Sequence, residues 1–319
     1  MAPEGAFLFF CPPARARRSF TPANWVHNQS MQSTQDIKDS PLADAWAELQ
    51  AHAAAGEPLE PNAYRLAFAD PEFLLRREAR GIRFQLEMLK PDLDQSAAGV
   101  EHTIVVFGSA RFSSLEDAQA QMAQAQAGHD PQALRKAQQA LRGAGYYEHA
   151  RAFARHVSEA CKTMPASERL YICTGGGPGI MEAANRGAHD VGAPSVALNI
   201  ALPHEQAANP YVTPHLSFKF HYFALRKMHF MMRAKALLAF PGGFGTLDEL
   251  FEILTLVQTR KAKPVPIMLF GTDYWNRLVN FQALVDEGTI LQEDLALFHY
   301  VDDAEQAWAA IRNFYQLGT

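Results

Sequence analysis

Cysteine is scarce in this chain, with Cys11, Cys161 and Cys173 the only three in 319 residues. So few, and an odd number, exclude a disulfide framework and fit a reducing, cytoplasmic setting; none has metal-ligand spacing. No apolar run reaches the roughly 18–20 residues needed to span a membrane. There is no basic surplus either: 29 Lys and Arg stand against 34 Asp and Glu, a net charge of −5, which argues against nucleic acid as a partner. The apolar patch AFLFFC comes before the charged PPARARR, the reverse of the order expected in a secretory leader. Residues 1–30 therefore read as a disordered tail or an over-extended start, dispensable for folding and activity.

What is present is ordinary globular composition, 48% hydrophobic and 20% charged, with length enough for a sizeable core. Residues 31–100 read as a helical extension. Its clearest element is Pro71–Leu89, with Phe73, Leu74, Ile82, Leu86 and Leu89 as the docked face and Pro91 as its stop. From residue 101 to the end the pattern changes. Short apolar runs, Thr103–Phe107, Leu170–Cys173, Ser195–Ile200, Ala236–Phe240 and Val265–Phe270, alternate with helical stretches, and His299–Val301 adds a last short strand. That alternation predicts an α/β fold, a Rossmann-like doubly wound parallel sheet with helices on both faces. An Ala- and Gln-rich segment, 114–142, reads as a helical hairpin inserted after the first strand.

Three strand ends run into small or glycine-rich turns: GSAR with Ser109, TGGGPGIME from Thr174, and PGGFGTLDE from Pro241. Ligands of open α/β sheets bind at such strand ends, where glycines admit a phosphate to the backbone and the next helix offers free N–H groups. Two multi-glycine turns in one chain point to a nucleotide or sugar-phosphate site. The dinucleotide fingerprint fails, since Ile180, Glu182 or Asp248 falls where its third glycine is needed, and the P-loop pattern is absent.

Two readings stand for Glu249. In T-x-x-E, Thr246 and Glu249 form a capping box opening a helix Leu247–Gln258 with its core face at Leu247, Leu250, Phe251, Leu254 and Val257. Alternatively Glu249 acts on the ligand, with the phosphate nearer the glycines because Asp248 and Glu249 would repel it. Arg226 and Lys227 interrupt the apolar Phe220–Phe240 segment. They are either a snorkelling pair at a helix edge or, for Arg226, a planar fork of donors aimed at an anion.

TGGGPGIMEAANRGA, the RK of FALRKMHFM and PGGFGTLDELFEILTLVQ together resemble the Lonely Guy (LOG) family of phosphoribohydrolases, over roughly residues 100–302. The resemblance implies a Rossmann-like fold, a dimer or higher even oligomer, and hydrolysis of a nucleoside 5′-monophosphate to free base and ribose 5-phosphate, without metal or cofactor. By motif position it implies a catalytic pair, Arg226 and Glu249, and a phosphate cradle of Gly242, Gly243, Gly245 and Thr246. It further implies a second wall of Gly175, Gly176, Gly177 and Gly179, with Lys227 beside the pair and Glu182 and Ser109 toward the ligand. The longer N-terminal part resembles bacterial members, so no plant-hormone role follows. The label "lysine decarboxylase-like" carried by many members has no chemical support here, because no lysine stands in a recognisable Schiff-base context. The rival expectation is a nucleotide sensor or cofactor carrier that keeps the glycine cradle without catalysis.

Overall fold

The computed structural model describes residues 65–202 and 207–317, with isolated positions at Ala47, Ala51, Ala54, Ala55 and Ala63. Expectations for residues 1–30 lie outside the described residues. Among the described residues the apolar runs form seven strands: β1 (His102–Phe107), β2 (Leu170–Thr174), β3 (Ser195–Ile200), β4 (Ser217–Phe220), β5 (Ala234–Ala239), β6 (Ile267–Phe270) and β7 (His299–Val301). All pairings are parallel, in the order β4-β3-β2-β1-β5-β6-β7. The Ser217–Phe220 strand is not legible in the sequence, because its four residues merge into the apolar segment that follows.

The helices are α1 (Arg80–Ala97), α2 (Leu115–Gly128), α3 (Pro131–Cys161), α4 (Ile180–Asp190), α5 (Phe223–Met232), α6 (Phe244–Gln258), α7 (Thr272–Leu278), α8 (Phe281–Asp286) and α9 (Ala304–Tyr315), besides a short turn of helix at Pro71–Leu75. Alternation along β1 sends Ile104 and Val106 into one core, with α3, α4 and α9, and Val105 and Phe107 into another, with α5 to α8. Both faces are covered, which is why the strands read as unbroken apolar runs. The chain winds from β1 toward β4, then returns to add β5 to β7 on the other side of β1. The loops leaving β1 and β5 therefore part at a topological switch point, where a crevice opens at the carboxyl ends of the strands.

Residues from Leu75 onward form one compact unit, so α1 belongs with the sheet. Before it, Asp70 accepts from the N–H groups of Glu72 and Phe73 and starts the Pro71–Leu75 turn.

Three expectations change here. Pro91 does not end its helix but lies inside α1. A proline has no N–H for the carbonyl of Glu87; His229 Nε2 sits 3.2 Å from that oxygen instead. The docked face of α1 is also the opposite one. Ile82, Leu86 and Leu89 are exposed, whereas Pro91 and Gln95 are buried and Phe84 packs edge-on against Tyr222. Apolar residues occupy both sides of this helix, so periodicity alone could not choose between them. Finally, the 114–142 segment has no break at its end: α3 continues from Pro131 to Cys161 and buries Tyr147, Phe153 and Val157.

Candidate active site at the switch point

Backbone hydrogen bonds join the three predicted turns into one surface. Phe240 N–H donates to the Phe107 carbonyl (2.9 Å), Ser109 N–H to that of Pro241 (3.0 Å) and Ile180 N–H to that of Ser109 (3.0 Å). Ser109 thus links both glycine turns through its backbone, while its hydroxyl accepts from Arg111 N–H (3.1 Å). Gly179 has φ +73°, and a Cβ there would strike the Ser109 carbonyl. Only glycine fits that position.

The second glycine turn rests on buried polar side chains that the sequence analysis did not single out. Thr174 Oγ1 donates to Asn185 Oδ1 (2.7 Å) and accepts from Gly176 N–H (3.0 Å), and Asn185 Nδ2 donates to Ser195 Oγ (3.0 Å). Asn199 lies against Gly176 from β3, where a Cβ would collide with its amide. The available signal was modest: asparagine at the end of the apolar strand run VALN, and another within an otherwise apolar-faced helix.

Around Glu249 the capping-box reading fails. Helix α6 starts at Phe244, a turn earlier than read, with Gly243 at its N-cap and no side chain bonded there. Thr246 lies inside the first turn, buried, with its hydroxyl packed on Gly242 so closely that a Cβ on that glycine would clash. The first N–H groups of the helix therefore have neither an intrahelical acceptor nor a cap. The core face is also turned from the predicted one. Thr246, Leu250, Ile253 and Val257 are buried, while Phe251 is exposed. That rotation carries Glu249 to the inner edge of the helix, where its side chain is only 13% exposed.

Facing it is Arg226, from α5. Its Nε donates to the Leu198 carbonyl of β3 (2.7 Å), and Nη1 is 3.6 Å from Glu249 Oε1. The guanidinium carbon is 5.1 Å from the centre of the Phe230 ring. A Cβ on Gly175 would come within 2.5 Å of Nη2, so this glycine makes room for the arginine rather than for a turn. Burial pushes the Glu249 carboxyl up to about 7, against the pull of Arg226, and burial lowers the Arg226 value against the pull of Glu249. The pair is a charge couple withdrawn from water at the mouth of three strand ends.

Not every predicted residue joins it. Lys227, next to Arg226 in sequence, turns outward and pairs with Asp248 (2.8 Å) and Glu252 (2.9 Å) on α6. The Glu182 carboxylate accepts from the buried Tyr147 hydroxyl (2.9 Å), which ties it to α3. Gly243 and Gly245 are exposed at the start of α6, and Gly177 is half-buried on the opposite wall.

Residues 181–311 match the family model described as "Possible lysine decarboxylase". The chain is 42% identical over 67 residues to the cytokinin riboside 5′-monophosphate phosphoribohydrolase LOG7 of Arabidopsis thaliana, covering 20% of this chain and 30% of that protein. It is 30% identical over 146 residues to a protein named a probable phosphoribohydrolase of the same type, LOG4 of Oryza sativa subsp. japonica, covering 45% and 62%. The matches thus span less than two thirds of either relative. A solved structure of the molybdenum cofactor carrier protein of Chlamydomonas reinhardtii aligns over 68% of this chain and 99% of that one, at 16% identity and a TM-score of 0.39. That distance leaves it without bearing on activity.

Proposed function

From its similarity to LOG-type phosphoribohydrolases, we propose that the chain hydrolyses the N-glycosidic bond of a nucleoside 5′-monophosphate, with AMP as the test substrate, releasing the base and ribose 5-phosphate. The observation that carries this reading is the withdrawn Arg226–Glu249 pair beside an uncapped helix N-terminus. The two features suit the two ends of such a substrate.

The phosphate belongs over Gly242, Gly243 and Gly245, where the first N–H groups and the dipole of α6 favour an anion. Glu249 lies in the second turn, displaced from those donors, which suits a place beside the sugar. Breaking the glycosidic bond builds positive charge on the ribose, as in other glycoside hydrolysis. A carboxylate fixed close to that charge, in surroundings drier than water, stabilises the transition state more than the ground state. Arg226 is anchored to the Leu198 carbonyl, so it holds Glu249 in place and favours its ionised form against burial. In this reading water attacks the anomeric carbon as the base departs.

The test is direct. The full chain is incubated with AMP, and free adenine and ribose 5-phosphate are measured. Release of both in equal amounts supports the hydrolase. Tight AMP binding with no release would replace it with a nucleotide carrier or sensor.

A further inference from the structure

The glycine wall after β2 has a fastening that comes from another part of the chain. Asn209, in the segment between β3 and β4, is buried. Its N–H donates to the Gly176 carbonyl (2.9 Å), and its amide Nδ2 donates both to the Gly177 carbonyl (3.1 Å) and to Asn185 Oδ1 (3.0 Å). Its Oδ1 accepts from Tyr211 N–H (3.2 Å). Two successive carbonyls of the glycine turn thus bind one residue, which the Asn185 network holds from below.

The consequence is one of direction. In a trans peptide the C=O and the following N–H point opposite ways. With the Gly176 carbonyl drawn back onto Asn209, the Gly177 N–H is turned away from the buried network, toward the half-exposed side of the wall. Left free, the same carbonyls could swing outward and present negative partial charge to an anion. Across the crevice the Gly242 carbonyl is held in the same manner, by the Tyr274 hydroxyl (2.6 Å).

We infer that Asn209 is a positioning residue for the ligand site: its main chain and its amide hold the Gly176 and Gly177 carbonyls inward, away from the crevice, the form that accepts a phosphorylated ligand. This rests on the reading of the glycine turns as a nucleotide site, but not on hydrolysis.

The test uses the full chain with Asn209→Ser, which keeps the main-chain bond to Gly176 but removes the amide donor and frees the Gly177 carbonyl to face the ligand, and Asn209→Asp, which sets a carboxylate against the Gly177 carbonyl and Asn185 Oδ1. Ribose 5-phosphate binding is measured by calorimetry, melting temperature alongside, and AMP turnover where the wild type shows it. Losing one donor that orients a site for a charged group corresponds to about a tenfold loss in affinity. We therefore expect the Kd for ribose 5-phosphate to rise about tenfold in Asn209→Ser and further in Asn209→Asp, with KM for AMP rising in step and kcat within about threefold. A purely structural lesion would instead lower the fraction of active protein, reducing binding stoichiometry and apparent kcat at unchanged Kd and KM. That pattern, or failure of both variants to fold, overturns the proposal. If the wild type binds ribose 5-phosphate but releases no base from AMP, the hydrolase reading fails and the Asn209 assignment is still decided by Kd. If the wild type does not bind ribose 5-phosphate, the assignment falls with the site.

Discussion

Glu249 illustrates how burial sets a side chain's chemistry. Burial pushes its carboxyl from the usual 4.5 up to about 7, against the pull of Arg226. Glu249→Gln keeps the shape and removes the charge. The variant is expected to bind AMP while turnover falls by about 10²–10³, the loss typical of removing one well-placed electrostatic stabiliser; near-normal adenine release would remove Glu249 from catalysis. In the wild type, kcat/KM should climb with pH through about 7 as the carboxyl ionises. Stability runs the other way. A carboxyl whose folded value is raised binds its proton more tightly when folded, so its stabilising share is full below 4.5 and is lost as pH rises through about 7. Denaturant titrations of wild type and Glu249→Gln across that range should show the difference in stability moving in favour of the variant as pH rises.

At the level of elements, the site depends on how α5 is seated. This helix carries Arg226, and no side chain of its own caps its N-terminus. Glu87 of α1 does so instead, accepting from His221 N–H (3.0 Å) and Tyr222 N–H (3.2 Å). The Glu87 carbonyl, left without a partner by Pro91, meets His229 on the same helix. One turn of α1 thus holds α5 twice. Glu87→Ala removes the carboxylate, and a lost cap of this kind costs about 1 kcal/mol. Thermal unfolding should show a fall of a few degrees, about the shift expected for that loss in a domain of this size. AMP turnover should fall as well, because Arg226 is less firmly held. A variant that melts as the wild type does would show that the cap contributes nothing measurable.

For the molecule as a whole, α5 and α6 leave large apolar side chains uncovered on one side of the sheet. Phe223, Met228 and Met232 are about half exposed, and Phe244 is 92% exposed at the start of α6. Such a concentration marks an interaction surface in a well-behaved globular protein, and it borders the glycine cradle. The chain is therefore expected to form a homodimer, or an even oligomer built from it, through this face. Light scattering should give at least twice the chain mass at micromolar concentration, and Met232→Glu should shift the particle toward monomer. A stable wild-type monomer would refute the assignment. No helix among the described residues is long and apolar enough to cross a membrane.

The sequence by itself determined the parallel α/β fold and the position of the glycine turns. Fully buried strands must be apolar throughout, and tight strand-to-helix turns need glycine, so both leave local marks. It also placed Arg226 and Glu249 in recognisable motifs, but it could not bring them face to face. That required the tertiary structure, because α6 is apolar on more than one side and its periodicity did not show which side faces the sheet. The start of α6 at Phe244, which removes the capping box, and the docking of α1 by its other face were undecidable for the same reason: local propensity fits both alternatives, and packing selects one. The Asn185–Asn209 network lay further still from view. Its members are distant in the chain, and only the closed fold, which forces buried polar groups to find partners, brings them under one glycine turn.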